Sequence, residues 1–282
     1  MIRISLTVLV VFFLGARLHA QELLVHKSDG SIINIAINSI DSITFNIDGS
    51  AGQGLPCPGT PTISDVDGNI YNTVLIGNQC WMKENLSTTK YKNGISIEYP
   101  GNNNSAWQIN TTGAYAWYNN DITSKEIYGA LYNWHAVNSN NGLCPEGWHV
   151  PDQGDWEDLV IYFVESNGFP NHDEPDGAGN ALKSCLQENS PLGGDCNVFE
   201  HPRWNFHVIN HGFDEYGFSF LPGGIRDVSG VYLTAGEFGY LWSTTEHDDF
   251  NAMMLLMASY SGKVSTLQYF KGSGHSIRCL KD

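Results

Sequence analysis

The stretch Leu143–Leu159, LCPEGWHVPDQGDWEDL, contains the sharpest change of pattern in the chain. EGWHV alternates like a short strand, and Pro151 ends it. Asp152 then has the position of a helix N-cap, with Asp155 in the acidic first turn. The predicted helix buries one stripe of apolar side chains: Trp156, Leu159, Val160, Phe163 and Val164. His149 alternates away from Trp148 and has no nucleophile close in sequence, so we interpret the whole stretch as architecture rather than as a catalytic centre.

Upstream of this stretch, the pattern predicts a β-meander and then a first helix. Apolar residues alternate along Ile70–Ile76, and turn-forming pairs stand on either side at Asp67–Gly68 and Gly77–Asn78. The segment YGALYNWHAV, Tyr128–Val137, follows after a long polar region. Its apolar residues recur at helical spacing: Ala130, Leu131, Trp134 and Val137.

The second half of the chain predicts one long loop region and then a set of short strands. Ser166–Tyr216 is rich in glycine and asparagine and shows no regular period, which is typical of a functional loop region. After it come short apolar runs separated by glycine turns, from residue 217 to residue 282. Mixed strands, two helices, a long loop and antiparallel strands, in that order, predict an α+β fold.

Six cysteines in the chain predict disulfides, and six cysteines allow 15 pairings. Sequence position narrows the choice. Cys185 and Cys196 bracket a short turn-forming segment and could close a local loop, while Cys57 and Cys80 stand before the main domain and just after its first hairpin. The remaining two, Cys144 and Cys279, would tie the middle of the domain to its last strand. A free thiol remains the alternative for any one of the six.

The N-terminal part predicts export. Residues 1–20 have the composition of a cleaved secretory signal peptide, since a positive start precedes an apolar run that is too short to span a bilayer. Residues 21–47 predict a small β-strand patch with a hairpin turn at SDGS, and residues 48–60 a linker rich in glycine and proline. The main domain then covers residues 61–282. No later segment is apolar enough for a transmembrane span, so we expect a protein that is secreted or on the cell surface, in the periplasm or outside the outer membrane.

The charge balance argues against nucleic-acid partners. The whole chain has a net charge of −16, and removal of Arg3 and Arg17 with the signal leaves 12 basic against 30 acidic residues, or −18. A surface this acidic repels phosphate backbones. It is compatible with cation binding or with neutral ligands such as glycans.

Two stretches place carboxylates at spacings found in calcium sites. In DVDGN, residues 65–69, Ile70 stands where an EF-hand loop needs glycine, so a hairpin turn is the better interpretation. The stretch HDEPDG, residues 172–177, offers three candidate calcium ligands: Asp173, Glu174 and Asp176. A solvated acidic loop is the alternative for this second stretch.

Aromatic residues beside polar groups are the candidate ligand-binding residues. EHPRWNFH, residues 200–207, combines Arg203, Trp204 and His207 within the long loop, and Trp107 and Trp117 stand in the polar region before the first helix. A rigid aromatic ring near hydrogen-bond donors is typical of sugar stacking or of a protein contact. Packing of these rings inside the protein is the alternative.

Six ordered motifs together resemble the Fibrobacter succinogenes major paralogous domain, a family of exported bacterial proteins of unknown function. They are DGNIYNTVLIGNQCWMKENL, YGALYNW, CPEGWHVPDQGDW, GFSFLPGGIR, GYLWSTTE and SIRCLKD. The similarity extends from about Ile63 to Asp282. The N-terminal patch, with SIDSITF, resembles a leader module of secreted proteins from Bacteroidetes-type bacteria.

The resemblance implies a C-type-lectin-like fold, which is also that of the formylglycine-generating enzymes. Such a fold has two helices, a long loop region and a small antiparallel sheet, here preceded by the short N-terminal β-hairpin. It places Glu174–Asp176 where C-type lectins bind calcium and sugar. The lectins' second motif is missing, because Ser243 and Thr244 follow Trp242. No catalytic residue carries over from the formylglycine-generating enzymes.

These observations predict an exported, non-catalytic binding or adhesion module, which recognises a glycan or an extracellular protein on a cell surface. Calcium is the one cofactor considered. Two alternatives remain open. One is an enzyme related to the formylglycine-generating oxidases, and the other is a structural subunit of a surface assembly.

Overall fold

The computed structural model describes residues 22–26, 32–36, 54–185 and 204–282. Its chain divides into two compact units, Met1–Ser50 and Ala51–Asp282. The described part of the first unit is one antiparallel pair, β1 (Glu22–His26) and β2 (Ile32–Ala36). The predicted signal peptide, the hairpin turn and the third run of the patch lie outside the described residues. No described helix is long and apolar enough to cross a bilayer.

The second unit contains thirteen described strands and five short α-helices. Its first half consists of β3 (Thr62–Ser64), β4 (Ile70–Ile76), β5 (Gln79–Met82), α1 (Asn104–Ile109), β6 (Tyr115–Ala116), α2 (Lys125–Tyr128), β7 (Leu131–Asn133), α3 (Trp134–Val137), β8 (Trp148–His149) and α4 (Gln153–Ile161). Its second half consists of α5 (Ala178–Leu182), β9 (Ile225–Arg226), β10 (Tyr232–Leu233), β11 (Phe238–Glu246), β12 (Asn251–Ala258), β13 (Ser265–Phe270), β14 (Gly274–His275) and β15 (Leu280–Lys281). Single 3₁₀ turns lie at Tyr118–Asn120 and Ile122–Ser124, and a π-helical turn, Tyr162–Ser166, extends α4.

The strands of this unit form three antiparallel sheets. Two sheets have five strands, in the orders β3-β4-β5-β15-β8 and β10-β9-β14-β7-β6, and the third is β11-β12-β13. In one five-stranded sheet β14 lies between β9 and β7, and in the other β15 lies between β5 and β8. Both inner strands come later in the chain than their neighbours. In the third sheet β13 is an edge strand, and its side chains are mostly exposed.

The predicted α+β, C-type-lectin-like fold is wrong: the structure is mostly β, and its longest α-helix, α4, has nine residues. The predicted first helix shows why. Residues 130–134 are all buried, because β7 pairs with strands on both sides. A strand buried in this way can show apolar residues at helical spacing. Helix starts only at Trp134, where the Asn133 side chain accepts a hydrogen bond from the backbone N–H of Ala136.

The local predictions around the opening stretch and the meander are confirmed. Asp152 and Asp155 form a reciprocal capping box at the start of α4. Trp156 is buried and stacks on Trp81 at 4.7 Å between ring centroids. The tip of the β3–β4 hairpin is a turn, since the Asp65 carboxylate accepts hydrogen bonds from the backbone of the turn and from the Tyr71 hydroxyl. The end of the predicted stripe is less buried than expected, because Val164 is partly exposed.

Two disulfides join distant parts of the second unit. Cys57 bonds to Cys80, and Cys144 bonds to Cys279 across a sequence separation of 135 residues. The first bond fixes the end of the predicted linker, where the Leu55 carbonyl also accepts a hydrogen bond from β4. Cys196 lies outside the described residues, so its pairing with Cys185 stays a prediction.

A buried histidine lies where the sheets meet. His275, in β14, is fully buried and stacks on Trp242 with 4.0 Å between ring centroids and an angle of 8° between planes. The rings of Tyr240 and Tyr269 lie against it at 5.2 and 5.0 Å. Neither ring nitrogen has a hydrogen-bond partner among the described residues. Burial lowers the pKa of His275 from 6.5 to about 3, so the ring is neutral at physiological pH.

Candidate functional site

A cleft of about 430 Å³ lies on one face of the β11-β12-β13 sheet. Strand register explains how its floor forms. Tyr240 is opposite Leu256, and Leu256 is opposite Ser265, so these three side chains point to the same face. Phe238, two residues before Tyr240, shares that face. Because β13 is the edge strand, the floor is open on that side, and Phe238, Leu256 and Ser265 all line the cleft.

Tyr260 forms the aromatic wall of the cleft. It lies two residues after the end of β12, and 49% of its surface is exposed. Its ring meets that of Phe238 edge to face, with 5.6 Å between centroids and 87° between planes. The backbone carbonyl of Tyr260 accepts a hydrogen bond of 2.7 Å from the buried side chain of Asn210. This hydrogen bond anchors the backbone that carries the exposed ring.

The acidic loop, residues 172–177, forms the polar rim. The Gly179 backbone N–H donates to the Gly262 carbonyl at 2.7 Å. A β-carbon at Gly177 would overlap that carbonyl, and one at Gly262 would overlap the Glu174 carbonyl. The two backbones are thus in direct contact, which only glycine allows. This contact brings Asp173 to the cleft, where its carboxylate accepts a hydrogen bond from the Ser261 hydroxyl.

Lys263 completes the rim. Its side chain is exposed, and its backbone N–H donates to the Ser261 hydroxyl at 3.0 Å. Asp173 and Lys263 are the charged residues among the described lining of the cleft. The cleft therefore combines a half-exposed aromatic ring, an apolar floor, two serine hydroxyls and one charge of each sign.

A buried lysine supports the cleft from beneath. The Lys183 ammonium donates hydrogen bonds of 2.9 Å to the carbonyls of Ala258 and Ser261, both of which line the cleft. It also lies 5.3 Å from the centroid of the Trp204 ring. Desolvation by burial lowers the pKa of Lys183 from 10.5 to about 7. The ammonium fixes the two carbonyls at the cost of burying a charge.

We expect this buried charge to give a distinctive pH dependence. Between about pH 7 and 10.5 the unfolded chain binds more protons at Lys183 than the folded chain does, so the free energy of unfolding rises with pH. Relative to Lys183→Met, the wild-type protein should gain about 2 kcal/mol between pH 7 and pH 9. Urea denaturation at both pH values measures this difference. The exposed Lys263→Met should show no such gain, and a pH-independent difference for Lys183→Met would contradict the prediction.

The three predicted calcium ligands are not brought together. Asp173 bonds to Ser261 at the cleft, whereas Asp176 contacts His172 at 2.7 Å. The backbone carbonyl of Glu174 lies against Gly262. Throughout residues 54–185 and 204–282, no three histidine, cysteine, aspartate or glutamate side chains are grouped so that they could hold a metal ion. Calcium binding therefore stays a prediction without a site in the described residues.

The predicted aromatic ligand residues lie in the interior. Trp107 and Trp204 are fully buried and Trp117 is nearly so, so none offers a ring face to a ligand. The Trp107 indole donates to the Asp227 carbonyl, with the Arg226 guanidinium over its ring at 4.4 Å. These tryptophans pack inside the protein, as the alternative interpretation of the sequence has it. Arg203 lies outside the described residues.

His207 is placed near the cleft but not in its lining. Its Nδ1 accepts a hydrogen bond of 3.0 Å from the backbone N–H of Asn210, the residue whose side chain holds the Tyr260 carbonyl. Sequence reasoning missed Tyr260 and Phe238. The run NAMMLLMASY, residues 251–260, ends in Tyr260, and a tyrosine two residues after an apolar strand was the available signal.

Comparison with known families supports the resemblance seen in the sequence. The family model described as the Fibrobacter succinogenes major domain matches residues 74–281, which is more than half of the chain. Comparisons with curated proteins and with solved structures each gave no match. The match extends from the last residues of β4 to β15 and includes all of the residues that line the cleft. The chain belongs to the Fibrobacter succinogenes major domain family.

Proposed function

We propose that this protein is an exported, non-catalytic binding module that holds a glycan in the cleft beside Tyr260. The observation that carries the proposal is the half-exposed Tyr260 ring, fixed by its backbone and flanked by Asp173 and serine hydroxyls. An aromatic face can pack on the apolar face of a sugar ring, while carboxylate and hydroxyl oxygens bond to sugar hydroxyls. The predicted signal peptide and the two disulfides support an oxidising, extracytoplasmic location.

The carboxylate content of the cleft favours binding over hydrolysis. Glycosidases generally use a pair of carboxylates that flank the scissile bond. The described lining residues include one carboxylate, that of Asp173, and it accepts a hydrogen bond from Ser261. The alternative enzyme, an oxidase of the formylglycine-generating type, would need reactive cysteines. Among the described residues, Cys57, Cys80, Cys144 and Cys279 are bound in disulfides.

A glycan array with the Tyr260→Ala variant tests the proposal. Truncation of a central aromatic anchor commonly costs more than about 1 kcal/mol of binding, so we expect affinity for any glycan bound by the wild-type protein to fall at least about five-fold. Phe250→Ala is the matched control, because Phe250 is 74% exposed in the turn between β11 and β12 but does not line the cleft. Wild-type affinity in Tyr260→Ala would disprove the cleft as the binding site.

The same array tests the calcium prediction. Signals that disappear with EDTA and in Glu174→Ala would support a calcium-dependent site at the acidic loop. Signals that persist in EDTA but are lost in Tyr260→Ala would show that the cleft binds its ligand without calcium.

A further inference from the structure

The two aromatic rings of the cleft form a corner rather than a platform. Tyr260 and Phe238 meet at 87°, so their faces cannot both lie against one flat surface. Binding to the face of a crystalline polysaccharide requires rings that share a plane. A corner between a half-exposed ring and an apolar floor instead fits one chain, which would have a ring face on one side and the floor on the other.

The floor of the cleft continues along the edge strand. Ser265 lines the cleft, and Leu267 and Tyr269 follow on the same face of β13 because side chains alternate along a strand. Leu267 is opposite Met254 and is 45% exposed. Neighbours on one face of a strand are about 7 Å apart, so the exposed part of this face continues from Ser265 to Leu267 and ends at Tyr269, which packs on the buried His275. A glycan chain that fills the cleft can therefore extend over Leu267.

The charges of the cleft point to an uncharged ligand. Asp173 and Lys263 on the rim carry opposite charges, whereas the whole chain has a net charge of −16. A polyanionic chain would gain one ammonium contact but would face an acidic protein and the Asp173 carboxylate. A chain of neutral sugars avoids that repulsion and still bonds to the carboxylate, the serine hydroxyls and the ammonium.

Resting on the proposed function, we infer that the ligand is a single, soluble, neutral glycan chain that lies from Tyr260 along β13 over Leu267. The inference excludes two other glycan classes. Crystalline polysaccharide is excluded by the ring corner, and polyanionic glycans such as polyuronates are excluded by the charge balance.

Binding assays with three sets of probes test the ligand class. The soluble neutral set is mixed-linkage β-glucan, xyloglucan and galactomannan. The polyanionic set is polygalacturonate and alginate, and the insoluble set is microcrystalline cellulose and chitin. We expect at least one neutral polymer to bind at least ten-fold more tightly than any member of the other sets. Retention on a crystalline probe that Tyr260→Ala abolishes, or tighter binding of a polyuronate, would overturn the inference and leave glycan binding intact. Binding to none of the probes would overturn the inference and the proposed function together.

A second variant tests whether the bound glycan follows β13 over Leu267. Leu267→Asn should weaken binding of the preferred polymer at least about three-fold and leave binding of its disaccharide unchanged, because only the longer ligand reaches Leu267. Gln268→Ala is the control, since Gln268 is the next residue of β13 and points to the opposite face. Equal affinity of wild type and Leu267→Asn for the polymer would overturn the path along β13.

Discussion

Replacing Cys144 and Cys279 together with alanine is expected to lower the free energy of unfolding by about 5 kcal/mol. The reason is the length of the loop that the bond closes, 135 residues, since a cross-link of this span removes much conformational freedom from the unfolded chain. Both sulfurs are buried, so alanine introduces no unpaired polar group. Denaturant unfolding of the double variant and the wild-type protein, both under non-reducing conditions, measures the difference.

The second disulfide provides the matched control. Cys57 and Cys80 are separated by 23 residues, so the same relation gives a loss of about 3.5 kcal/mol when both are replaced with alanine. The longer loop should therefore contribute about 1.5 kcal/mol more than the shorter one. Equal losses from the two double variants would contradict the explanation by loop length.

His275→Phe is expected to make the protein more resistant to acid. The folded-state pKa of His275 is about 3 and its unfolded value is 6.5, so between these values the unfolded chain binds a proton that the folded chain does not. Stability is therefore fully present above pH 6.5 and is lost as pH falls towards 3. For this one group the loss between pH 7 and pH 4 amounts to about 3 kcal/mol. Phenylalanine keeps a ring against Trp242 but cannot titrate.

The measurement is the free energy of unfolding of wild type and variant at pH 7 and pH 4. Carboxylates titrate in the same range in both proteins. The difference between the two proteins in the stability lost from pH 7 to pH 4 is therefore the contribution of His275. His247→Ala serves as the control, because it removes the ring of an exposed histidine and leaves the buried ring in place. A His275→Phe variant that loses as much stability on acidification as the wild-type protein would contradict the assignment.

Elements defined by neighbours in sequence were predictable. The capping box of α4 depends on Asp152 and Asp155, and the β3–β4–β5 meander depends on its turn residues. The position of the Cys144–Cys279 bond also followed from the order of the cysteines along the chain. The capping box and the meander depend on residues that are close in sequence. The disulfide depends on which cysteines remain to be paired, and that choice does not require knowledge of how the strands pack.

Elements defined by pairing between distant strands were not predictable. The run at β12 has no alternation, because Met254 packs into one hydrophobic cluster and Leu255 into the other. Without that alternation the face of each side chain is unknown, so the sequence cannot place Leu256 beside Ser265. The sequence does not predict the cleft for the same reason. Of the predicted site residues, Asp173 lines the cleft, because contacts between glycines far apart in sequence hold its loop there.

The position of β14 and β15 has a consequence for biogenesis. Each is an inner strand of a five-stranded sheet, with earlier strands on both sides, so one sheet is incomplete until residue 275 has been synthesised and the other until residue 281. Such pairings over long sequence separations form slowly. The strands on either side of β14 and β15 therefore lack a hydrogen-bond partner until synthesis of the chain is almost finished.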